Sequence, residues 1–388
     1  MFQIQTRNSI AKEGLSLFPK EKYEISDSGE SPDGIVLRSY SMHKEPLPAS
    51  LKAIGRAGAG VNNIPVDLCT KSGIVVFNAP GANANAVKEL VLAGMLLAAR
   101  NLVEGATYSA TLHAEGDKVP ELVEKNKARF AGFEIAGKRL GVIGLGAIGM
   151  MVANNAVALG MGVEGYDPFI SVKNAWALSD QVKPAVSFAK LLSASDFISL
   201  HMPLTADTDK FINADTLKHV KPGAILLNFA RAEIVDNDAI LHALDSGVLG
   251  RYVTDFPTAA LIHYPKVICI PHLGASTEEA ETNCAVMVVR QLMDYLENGN
   301  ITNSVNFPNC ALERTGQYRL ILMNENVPNM VGQITSLLAQ DGLNITEMVN
   351  KSKGDLAYNI VDFNGTVSAD LIERLKSIAG VRMARLLG

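Results

Sequence analysis

The stretch RLGVIGLGAIG, residues 139–149, determines which fold the central part of the chain can adopt. Its apolar beginning predicts a β-strand, and the glycines that follow have the spacing GxGxxG and open a helical run. The first glycine of this pattern permits a tight turn, the second lets the backbone approach a pyrophosphate, and the third lets helix and strand pack closely. The stretch therefore predicts a dinucleotide-binding unit with the diphosphate at the helix N-terminus. The predicted cofactor contacts of this turn are Gly144, Gly146, Ala147, Ile148 and Gly149.

An acidic residue follows at the distance that such a unit requires. The next predicted strand ends at Asp167, eighteen residues after Gly149, where a carboxylate can accept hydrogen bonds from both ribose hydroxyls. A carboxylate repels a 2′-phosphate, and the following Pro168-Phe169-Ile170 offers no arginine, so the sequence predicts NAD rather than NADP. The alternative is that Asp167 is a plain turn residue before a proline.

Short Val-, Ile- and Leu-rich runs alternate with helical stretches on both sides of this unit, a pattern typical of parallel sheets. Two long predicted helices, Ala84 to Arg100 and Glu278 to Asn298, flank the series that begins after residue 131. We expect the chain to leave a first lobe through one helix and to return through the other. The predicted fold is α/β, with two doubly wound parallel-sheet lobes, a Rossmann nucleotide lobe being inserted in a flavodoxin-like lobe.

The pattern changes after Cys310. Strand, helix, strand, strand, helix and strand follow within about 70 residues, which predicts a separate α+β domain of ferredoxin-like topology. The predicted domains are 1–98 with 286–314 for a substrate-binding lid domain, 99–285 for a dinucleotide-binding domain, and 315–388 for the small C-terminal domain.

Composition and charge exclude several classes of protein. The 388 residues include 35 Lys and Arg against 40 Asp and Glu, a net charge of −5, which argues against binding to nucleic acid or to an acidic membrane face. The longest apolar run, Leu90 to Ala99, is much shorter than the ~20 residues that cross a bilayer. The N-terminus lacks a secretory signal pattern, and the four cysteines have neither disulfide-framework nor zinc-site spacing, so we expect a cytoplasmic protein without a metal.

Polar residues follow several predicted strands at the sheet edge where open parallel sheets bind their ligands. Arg231 can hold an anionic substrate through a bidentate contact and polarise an adjacent carbonyl. His272 can take the proton of a hydroxyl as hydride leaves, because its ordinary pKa is near neutrality. Taken singly, an Arg or His in such a place is more often an ordinary surface residue. His201 either lines the cofactor cleft or simply ends its strand.

The first lobe offers a second group of candidates. Arg38 and Ser39 follow one predicted strand, and Arg56 ends the next, just before the turn Gly58-Ala59-Gly60. Guanidinium, hydroxyl and free N–H groups together can hold a phosphate or a carboxylate. The alternative is a pair of turns with solvated arginines.

These motifs resemble those of the D-isomer-specific 2-hydroxyacid dehydrogenases. The segments GRAGAGVNNI, NAPGANANAVKEL, GVIGLGAIG, HMPLT, NFARAEIVD, DFP and PHLGAST occur in the order and at the spacing of that family, and the C-terminal domain is similar to an ACT domain. The resemblance implies an NAD-dependent oxidoreductase that transfers hydride from C2 of 3-phosphoglycerate to C4 of the nicotinamide, the first step of serine biosynthesis. The runner-up substrates are hydroxypyruvate, glyoxylate and D-lactate. A weakly catalytic, NAD-sensing regulator is a further alternative.

The resemblance also implies roles for single residues. It makes His272 the general acid/base at the C2 hydroxyl and Arg231 the ligand of the carboxylate and carbonyl oxygen. It places Asp255 at the nicotinamide carboxamide and Asp167 at the adenosine ribose. The other implied cofactor residues are His201, Pro203, Ala230 and Gly274. The implied substrate residues of the lid domain are Arg38, Ser39, Arg56, Gly58, Ala59, Gly60 and Asn83.

The chain departs from the family pattern beside the catalytic histidine. The family has a Glu shortly after the DFP-like segment, hydrogen-bonded to that histidine, whereas Ala259 and Ala260 follow here. Without the carboxylate, an imidazolium loses a stabilising partner and the ring loses its orienter. Glu233 is the nearest acidic residue in sequence, and related formate dehydrogenases manage without a carboxylate at this place. Ala232 also replaces the usual Gly after the Arg.

The C-terminal domain carries a regulatory expectation. Asn324, Asn326 and Asn344 align with a segment that binds serine at a domain interface in some relatives, although Asn324 stands where His is usual. Serine is therefore a candidate effector, and a dimerisation or purely structural domain is the alternative. We expect a homodimer or homotetramer.

Overall fold

The computed structural model describes residues 1–388, and the chain divides into two compact units. The first unit holds residues 1–83 and 278–388, and the second unit holds residues 84–277. The second unit is thus continuous in sequence and interrupts the first. The bounds of the three predicted domains remain predictions, since the lid and the C-terminal domain both contribute to the first unit.

The strands and helices alternate through most of the chain. The strands are β1 (Phe2–Arg7), β2 (Tyr23–Ser26), β3 (Gly34–Leu37), β4 (Ala53–Arg56), β5 (Val75–Phe77), β6 (Arg139–Ile143), β7 (Gly162–Tyr166), β8 (Lys183–Pro184), β9 (Phe197–Leu200), β10 (Ala224–Asn228), β11 (Leu249–Thr254), β12 (Val267–Cys269), β13 (Tyr318–Glu325), β14 (Asn344–Lys353), β15 (Leu356–Asn364) and β16 (Val381–Leu387). The helices are α1 (Lys12–Leu15), α2 (Val66–Lys71), α3 (Ala84–Arg100), α4 (Leu102–Thr111), α5 (Val119–Asn126), α6 (Ala147–Ala158), α7 (Val172–Ala177), α8 (Phe188–Ala194), α9 (Ala214–Leu217), α10 (Asn237–Asp245), α11 (Glu278–Asn298), α12 (Met330–Gln340) and α13 (Leu371–Ser377).

The second unit is built on a parallel sheet of seven strands in the order β12-β11-β10-β9-β6-β7-β8. Along β10, Ile225 and Leu227 belong to one apolar cluster, whereas Ala224 and Leu226 belong to another. Because side chains alternate between the faces of a strand, this sheet has a core on each side. The predicted doubly wound α/β fold is confirmed.

The first unit contains two sheets. The five-stranded one is parallel, in the order β2-β1-β3-β4-β5, and the four-stranded one is antiparallel, in the order β14-β15-β13-β16. The second order, with two helices between its strands, is the ferredoxin-like topology that the sequence predicts for the C-terminal domain. Leu320 and Leu322 face that domain's own helices, whereas Ile321 and Met323 join a core shared with α11 and the parallel sheet.

The C-terminal domain is joined to the end of α11 by buried polar groups. Arg319 Nε and Nη2 lie 2.6 and 2.8 Å from the two carboxylate oxygens of Asp362, and both side chains are fully buried. Arg319 Nη1 also donates to the carbonyl of Asn298 at 3.0 Å, and Tyr358 Oη donates to that of Gly299 at 2.5 Å. These donors satisfy carbonyls at the C-terminus of α11 that no helical N–H can reach.

Candidate active site

The glycine turn between β6 and α6 is forced by packing at two of its three glycines. Gly144 has φ +90°, and a Cβ there would lie 2.8 Å from the carbonyl carbon of His201. A Cβ on Gly149 would lie 1.9 Å from the carbonyl oxygen of Gly144. A Cβ on Gly146 would meet no atom within 4 Å, so this residue faces open space. The middle glycine therefore leaves room for a ligand to approach the backbone.

The N-terminus of α6 suits an anion. Gly146 is its N-cap residue and cannot cap with a side chain, so the N–H groups of the first turn have no intrahelical acceptor. The positive end of the helix dipole adds to their attraction for negative charge. The predicted diphosphate fits this turn, since open space and unsatisfied donors occur together there.

Asp167 is bound to the same turn. Its two carboxylate oxygens accept hydrogen bonds from the backbone N–H groups of Leu145 and Phe169, each at 2.8 Å. Each oxygen has a second lone pair, so the carboxylate can still accept hydroxyl hydrogens. Asp167 therefore has a structural role at the strand end and remains compatible with the predicted contact to a ribose.

His201 packs against the glycine turn from the end of β9. Its Cβ would lie 3.2 Å from a Cβ on Gly149, and its Nε2 lies 2.8 Å from Ser199 Oγ. Burial lowers the pKa of His201 to about 3, so the ring is neutral at physiological pH. A neutral ring in contact with the turn agrees with the first of its two predicted readings, in which it lines the cofactor cleft. Pro203 follows in the loop after β9.

The loop that carries Arg231 is held by a side chain that the sequence does not single out. Asn228, buried at the end of β10, donates to the Arg231 carbonyl at 2.9 Å and accepts from the Ala230 N–H at 3.2 Å. Arg231 Nη1 donates to the Ala230 carbonyl at 2.6 Å. The guanidinium of Arg231 is exposed and is thus presented by a fixed loop.

Asp255 is a buried carboxylate with an unfilled acceptor. It is 1% exposed, and its Oδ1 has no hydrogen-bond partner. Burial raises the pKa of Asp255 to about 6, and the nearby charge of Arg231 acts in the opposite direction. A buried acceptor without a donor is costly unless a ligand supplies one. The amide N–H of a carboxamide fits this oxygen, which supports the predicted contact with the nicotinamide.

Arg231, Asp255 and His272 come from three loops at one edge of the sheet. The charge of Arg231 acts on the Asp255 carboxylate. The His272 loop is also close, since a Cβ on Gly274 would lie 3.8 Å from Asp255 Oδ2. The ring of Phe256 lies edge-on to that of His272, with 4.9 Å between their centroids and 62° between their planes. The structure therefore brings the predicted guanidinium and imidazole to the same neighbourhood.

The position of the missing carboxylate is occupied by exposed alanines. Ala259 and Ala260 lie in a turn after β11, both exposed, and Glu233 lies in a 3-10 turn on the Arg231 loop. Phe256, in the same loop, contacts the His272 ring edge to face. Sequence reasoning gave Phe256 no role, and its place in the DFP segment is the only signal that could have suggested one.

In the first unit, the predicted anion-binding residues lie at the carboxyl edge of two neighbouring strands. Leu37 of β3 pairs with Arg56 of β4, and Arg56 Nε donates to the Arg38 carbonyl at 3.1 Å. Asn63 Nδ2 donates to the same carbonyl at 3.0 Å. The Arg56 guanidinium lies over Gly58, whose φ of +156° and lack of a Cβ permit this approach.

The remaining predicted substrate residues surround this edge. Asn78 Nδ2 donates to the Ala59 carbonyl at 2.5 Å, which fixes the turn before Gly60. Ser39 is exposed, and Asn83 is half-buried just before α3. Arg38 forms an ion pair with Glu281 in the first turn of α11, a partner that the sequence does not reveal because the two residues are far apart in the chain.

The three asparagines predicted to be regulatory have different environments. Asn324 is buried, donates to the Glu325 carbonyl at 2.7 Å and accepts from Asn359 at 2.6 Å, so its amide already serves the sheet. Asn324 and Asn326 both line a cavity of about 220 Å³ at the N-terminus of α12. Asn344 is exposed at the start of β14 and does not line that cavity.

Comparison with known proteins identifies the family. Residues 92–274 match the family model described as D-isomer specific 2-hydroxyacid dehydrogenase, NAD binding domain. The D-3-phosphoglycerate dehydrogenase of Haemophilus influenzae is 34% identical over 379 residues, an alignment that covers 94% of this chain and 88% of that protein. The chain belongs to the D-isomer-specific 2-hydroxyacid dehydrogenase family. The predicted family is thereby confirmed.

Two further comparisons agree. The D-3-phosphoglycerate dehydrogenase of Synechocystis is 36% identical over 357 residues, but this 2-hydroxyacid dehydrogenase chain spans only 60% of the length of that relative. The crystal structure of NAD+-bound 3-phosphoglycerate dehydrogenase from Entamoeba histolytica has a TM-score of 0.63 and 26% identity, covering 79% of this chain and 98% of that one. The family's NAD-binding domain contains the glycine turn, Asp255 and His272. The predictions that the cofactor is NAD and that the protein is an oxidoreductase are confirmed.

No helix has the length and apolarity needed to cross a membrane.

Proposed function

We propose that the chain oxidises 3-phosphoglycerate at C2 with NAD+ and forms 3-phosphohydroxypyruvate. The observation that carries this proposal is the cluster of Arg231, Asp255 and the His272 loop at one sheet edge, with an unfilled buried acceptor on Asp255. The choice of substrate is supported by the names of the bacterial relatives and by the pair of guanidinium groups at the edge of β3 and β4.

The chain's own groups divide the chemistry between them. Arg231 binds the substrate carboxylate and polarises the C2 oxygen as it becomes a carbonyl. A ring nitrogen of His272 accepts the proton of the C2 hydroxyl while the C2–H bond breaks. The chemistry supplied by bound NAD+ is acceptance of the hydride, with its electron pair, at C4 of the nicotinamide. The buried carboxylate of Asp255 orients the carboxamide of that ring through its free oxygen.

The ring of Phe256 contacts that of His272 and helps to orient it. Phe256 follows Asp255 directly, so the residue that fixes the carboxamide also fixes the place of the aromatic ring against His272. An edge-to-face aromatic contact restricts the imidazole without supplying charge.

The phosphate and the far end of the substrate are proposed to bind to Arg38, Ser39, Arg56, the turn from Gly58 to Gly60, and Asn83. Guanidinium groups bind phosphate bidentately, and a glycine-rich turn adds backbone N–H donors. Asn63 and Arg56 fix the backbone of Arg38, so this guanidinium extends from a rigid point.

Steady-state assays with 3-phosphoglycerate and NAD+ test the proposal. We expect His272→Ala to lower kcat by about 10²- to 10⁴-fold, the usual contribution of a general base. His219→Ala, at an exposed position after α9, is the matched control and should leave kcat unchanged. Binding of NAD+ without turnover of any 2-hydroxy acid would contradict the proposal and favour a non-catalytic NAD-sensing protein.

A second assay separates the substrate classes. Arg38→Ala should raise KM for 3-phosphoglycerate strongly, because it removes a phosphate ligand, and should change KM for hydroxypyruvate, glyoxylate or D-lactate little. Equal effects on phosphorylated and unphosphorylated substrates would assign the chain to another D-2-hydroxyacid activity.

We further propose that the C-terminal cavity binds a small amino acid such as serine. The cavity lies at the N-terminus of α12, where Asn329 does not cap with its side chain and the first-turn N–H groups can bind a carboxylate. Inhibition by added serine would support this proposal, and unchanged rates at millimolar serine would contradict it. Assembly as a homodimer or homotetramer and a cytoplasmic location, which suits the four free cysteines, complete the proposal.

A further inference from the structure

The ion pair between Arg38 and Glu281 lies within the proposed phosphate site of the first unit. Arg38 leaves the carboxyl end of β3, and Glu281 lies in the first turn of α11. Their side chains are 28% and 43% exposed, so neither partner is enclosed by the protein. The carboxylate of Glu281 thus contacts the guanidinium that is proposed to bind the substrate phosphate.

A second arginine, Arg56, and the thiol of Cys284 lie near this ion pair. Arg56 is fixed to the Arg38 carbonyl through its Nε. Burial raises the pKa of Cys284 on α11; Arg56 and Arg38 act to lower it, and Glu281 acts to raise it. Both arginines and Glu281 therefore lie close to one position on α11. The carboxylate of Glu281 lowers the positive charge at this position.

We propose that the carboxylate of Glu281 binds the Arg38 guanidinium in place of the substrate's anionic group, and that the substrate phosphate must displace this carboxylate in order to bind. The proposal rests on the proposed function, since it names the residue that sets the affinity of that site for a phosphorylated substrate. Glu281 is in this sense a specificity-determining residue and not a catalytic one.

The magnitudes favour displacement. An ion pair that is exposed to solvent contributes little to stability, because water screens the charges and two long side chains must be held in one geometry. A phosphate carries about 1.5 to 2 negative charges and three acceptor oxygens, and it binds arginine bidentately. A phosphorylated substrate therefore competes well with the single carboxylate of Glu281, whereas a substrate with only one weak anionic contact competes poorly.

Glu281→Gln tests the proposal because it removes the charge and keeps the size of the side chain. We expect KM for 3-phosphoglycerate to fall about threefold at low ionic strength, the value of a part-exposed ion pair, with the effect on KM rather than on kcat. Glu279→Gln is the matched control, since Glu279 is an exposed acid in the same helical turn. It shares the helix-dipole environment and the net charge change, so it should leave KM unchanged.

A double-mutant cycle isolates the contact. In an Arg38→Ala background, Glu281→Gln should have no further effect on the affinity for 3-phosphoglycerate, because the competition requires both residues. The dissociation constant is measured by calorimetry in the presence of NADH, which cannot accept hydride, so that no turnover occurs. A rise of KM in Glu281→Gln, or a fall equal to that in Glu279→Gln, would overturn the proposal.

A failure of the proposed function is distinguishable from a failure of this inference. If the wild-type protein turns over no 3-phosphoglycerate, calorimetric titration with inorganic phosphate still measures the competition. Tighter phosphate binding by Glu281→Gln than by the wild type and Glu279→Gln would then support displacement at Arg38 without the proposed reaction. Equal phosphate affinities in all three proteins would contradict it.

Discussion

Two arginine–carboxylate pairs in the first unit have the same chemistry and opposite surroundings. Arg319 and Asp362 are fully buried and joined by two hydrogen bonds, and the arginine donates further to carbonyls of Asn298 and Leu312. Arg38 and Glu281 are both partly exposed. A buried pair cannot exchange its partner without leaving a charge out of water, whereas an exposed pair can. Burial, and not the residue types, therefore separates a structural pair from one that a substrate can open.

The largest effect is expected from Asp362→Ala. It leaves the Arg319 guanidinium buried without a counter-charge, which costs about 3–5 kcal/mol of the free energy of unfolding. Urea denaturation measures the loss, and Asp370→Ala, which removes the exposed partner of Arg374, is the control and should cost less than about 1 kcal/mol. Equal losses in both variants would show that the buried pair contributes no more to the free energy of unfolding than the exposed one.

The double replacement Arg319→Met with Asp362→Leu sharpens this result. When a buried pair is replaced as a whole by apolar residues, the protein often loses little stability, so the double variant should unfold at a higher urea concentration than Asp362→Ala.

Lowering the pH should reduce the free energy of unfolding, as Asp362→Ala does. Burial acts to raise the pKa of Asp362, but hydrogen bonds from Arg319 and Thr315 act more strongly in the opposite direction. The pKa of Asp362 is therefore below its ordinary value. A depressed acid stabilises the fold above its unfolded pKa of about 4, and this stabilisation is lost as the pH falls below that value.

Asp255 is an intermediate case, a buried carboxylate with only distant charge compensation. Burial raises its pKa to about 6, and a cationic nicotinamide with an amide N–H donor favours the ionised form. Binding of NAD+ below pH 6 must therefore remove a proton, and the affinity should fall by up to about tenfold per pH unit. Titration followed by the fluorescence of Trp176, the single tryptophan, measures it, since Asn174 of the same helix contacts the glycine turn.

The variant Asp255→Asn should bind NAD+ with little dependence on pH between 5 and 7, because the group that must ionise is gone. Asp245→Asn, at an exposed position in the same unit, should keep the wild-type profile. A wild-type affinity that is constant down to pH 5 would show that Asp255 need not ionise.

Tyr358→Phe tests the same junction as Asp362 without a charge. It removes the hydrogen bond from the buried hydroxyl to the Gly299 carbonyl and should cost about 1 kcal/mol, the usual value of a neutral buried bond. Tyr318→Phe, at a half-buried position on β13, is the control in urea denaturation and should be nearly neutral. A loss as large as that of Asp362→Ala would mean that packing, and not charge, dominates the junction.

Much of the fold could be predicted because apolar spacing marks elements that are buried on one face. The bounds of α3 and α11 agree with the prediction, and Arg56 ends β4 as the sequence predicts. The first strand, Phe2–Arg7, was not recognised because Gln and Thr alternate with few apolar residues in it. The helices α4 and α5 were missed as well, since neither buries any residue and so neither shows a core-facing pattern.

The candidate site was predictable where strand ends and glycine spacing carry the signal. Gly144, Asp167 and Arg231 follow from local sequence, because the direction of a parallel strand decides where its last side chain points. The partners Asn228, Phe256 and Glu281 could not be assigned in this way. Their contacts depend on which loops and helices meet in space, and an isolated Glu in a helix has no local feature that names an arginine as its partner.

The smallest expected effect completes the comparison of the two pairs. Glu281→Gln should lower the free energy of unfolding by about 0.7 kcal/mol or less beyond the change in Glu279→Gln, because water replaces the lost carboxylate at a part-exposed arginine. Urea denaturation of both variants at low ionic strength measures this difference. If Glu281→Gln proved as destabilising as Asp362→Ala, Arg38 would be held as tightly as Arg319. A substrate could not then open the pair at any useful concentration, so the stability measurement also limits how Arg38 can bind its ligand.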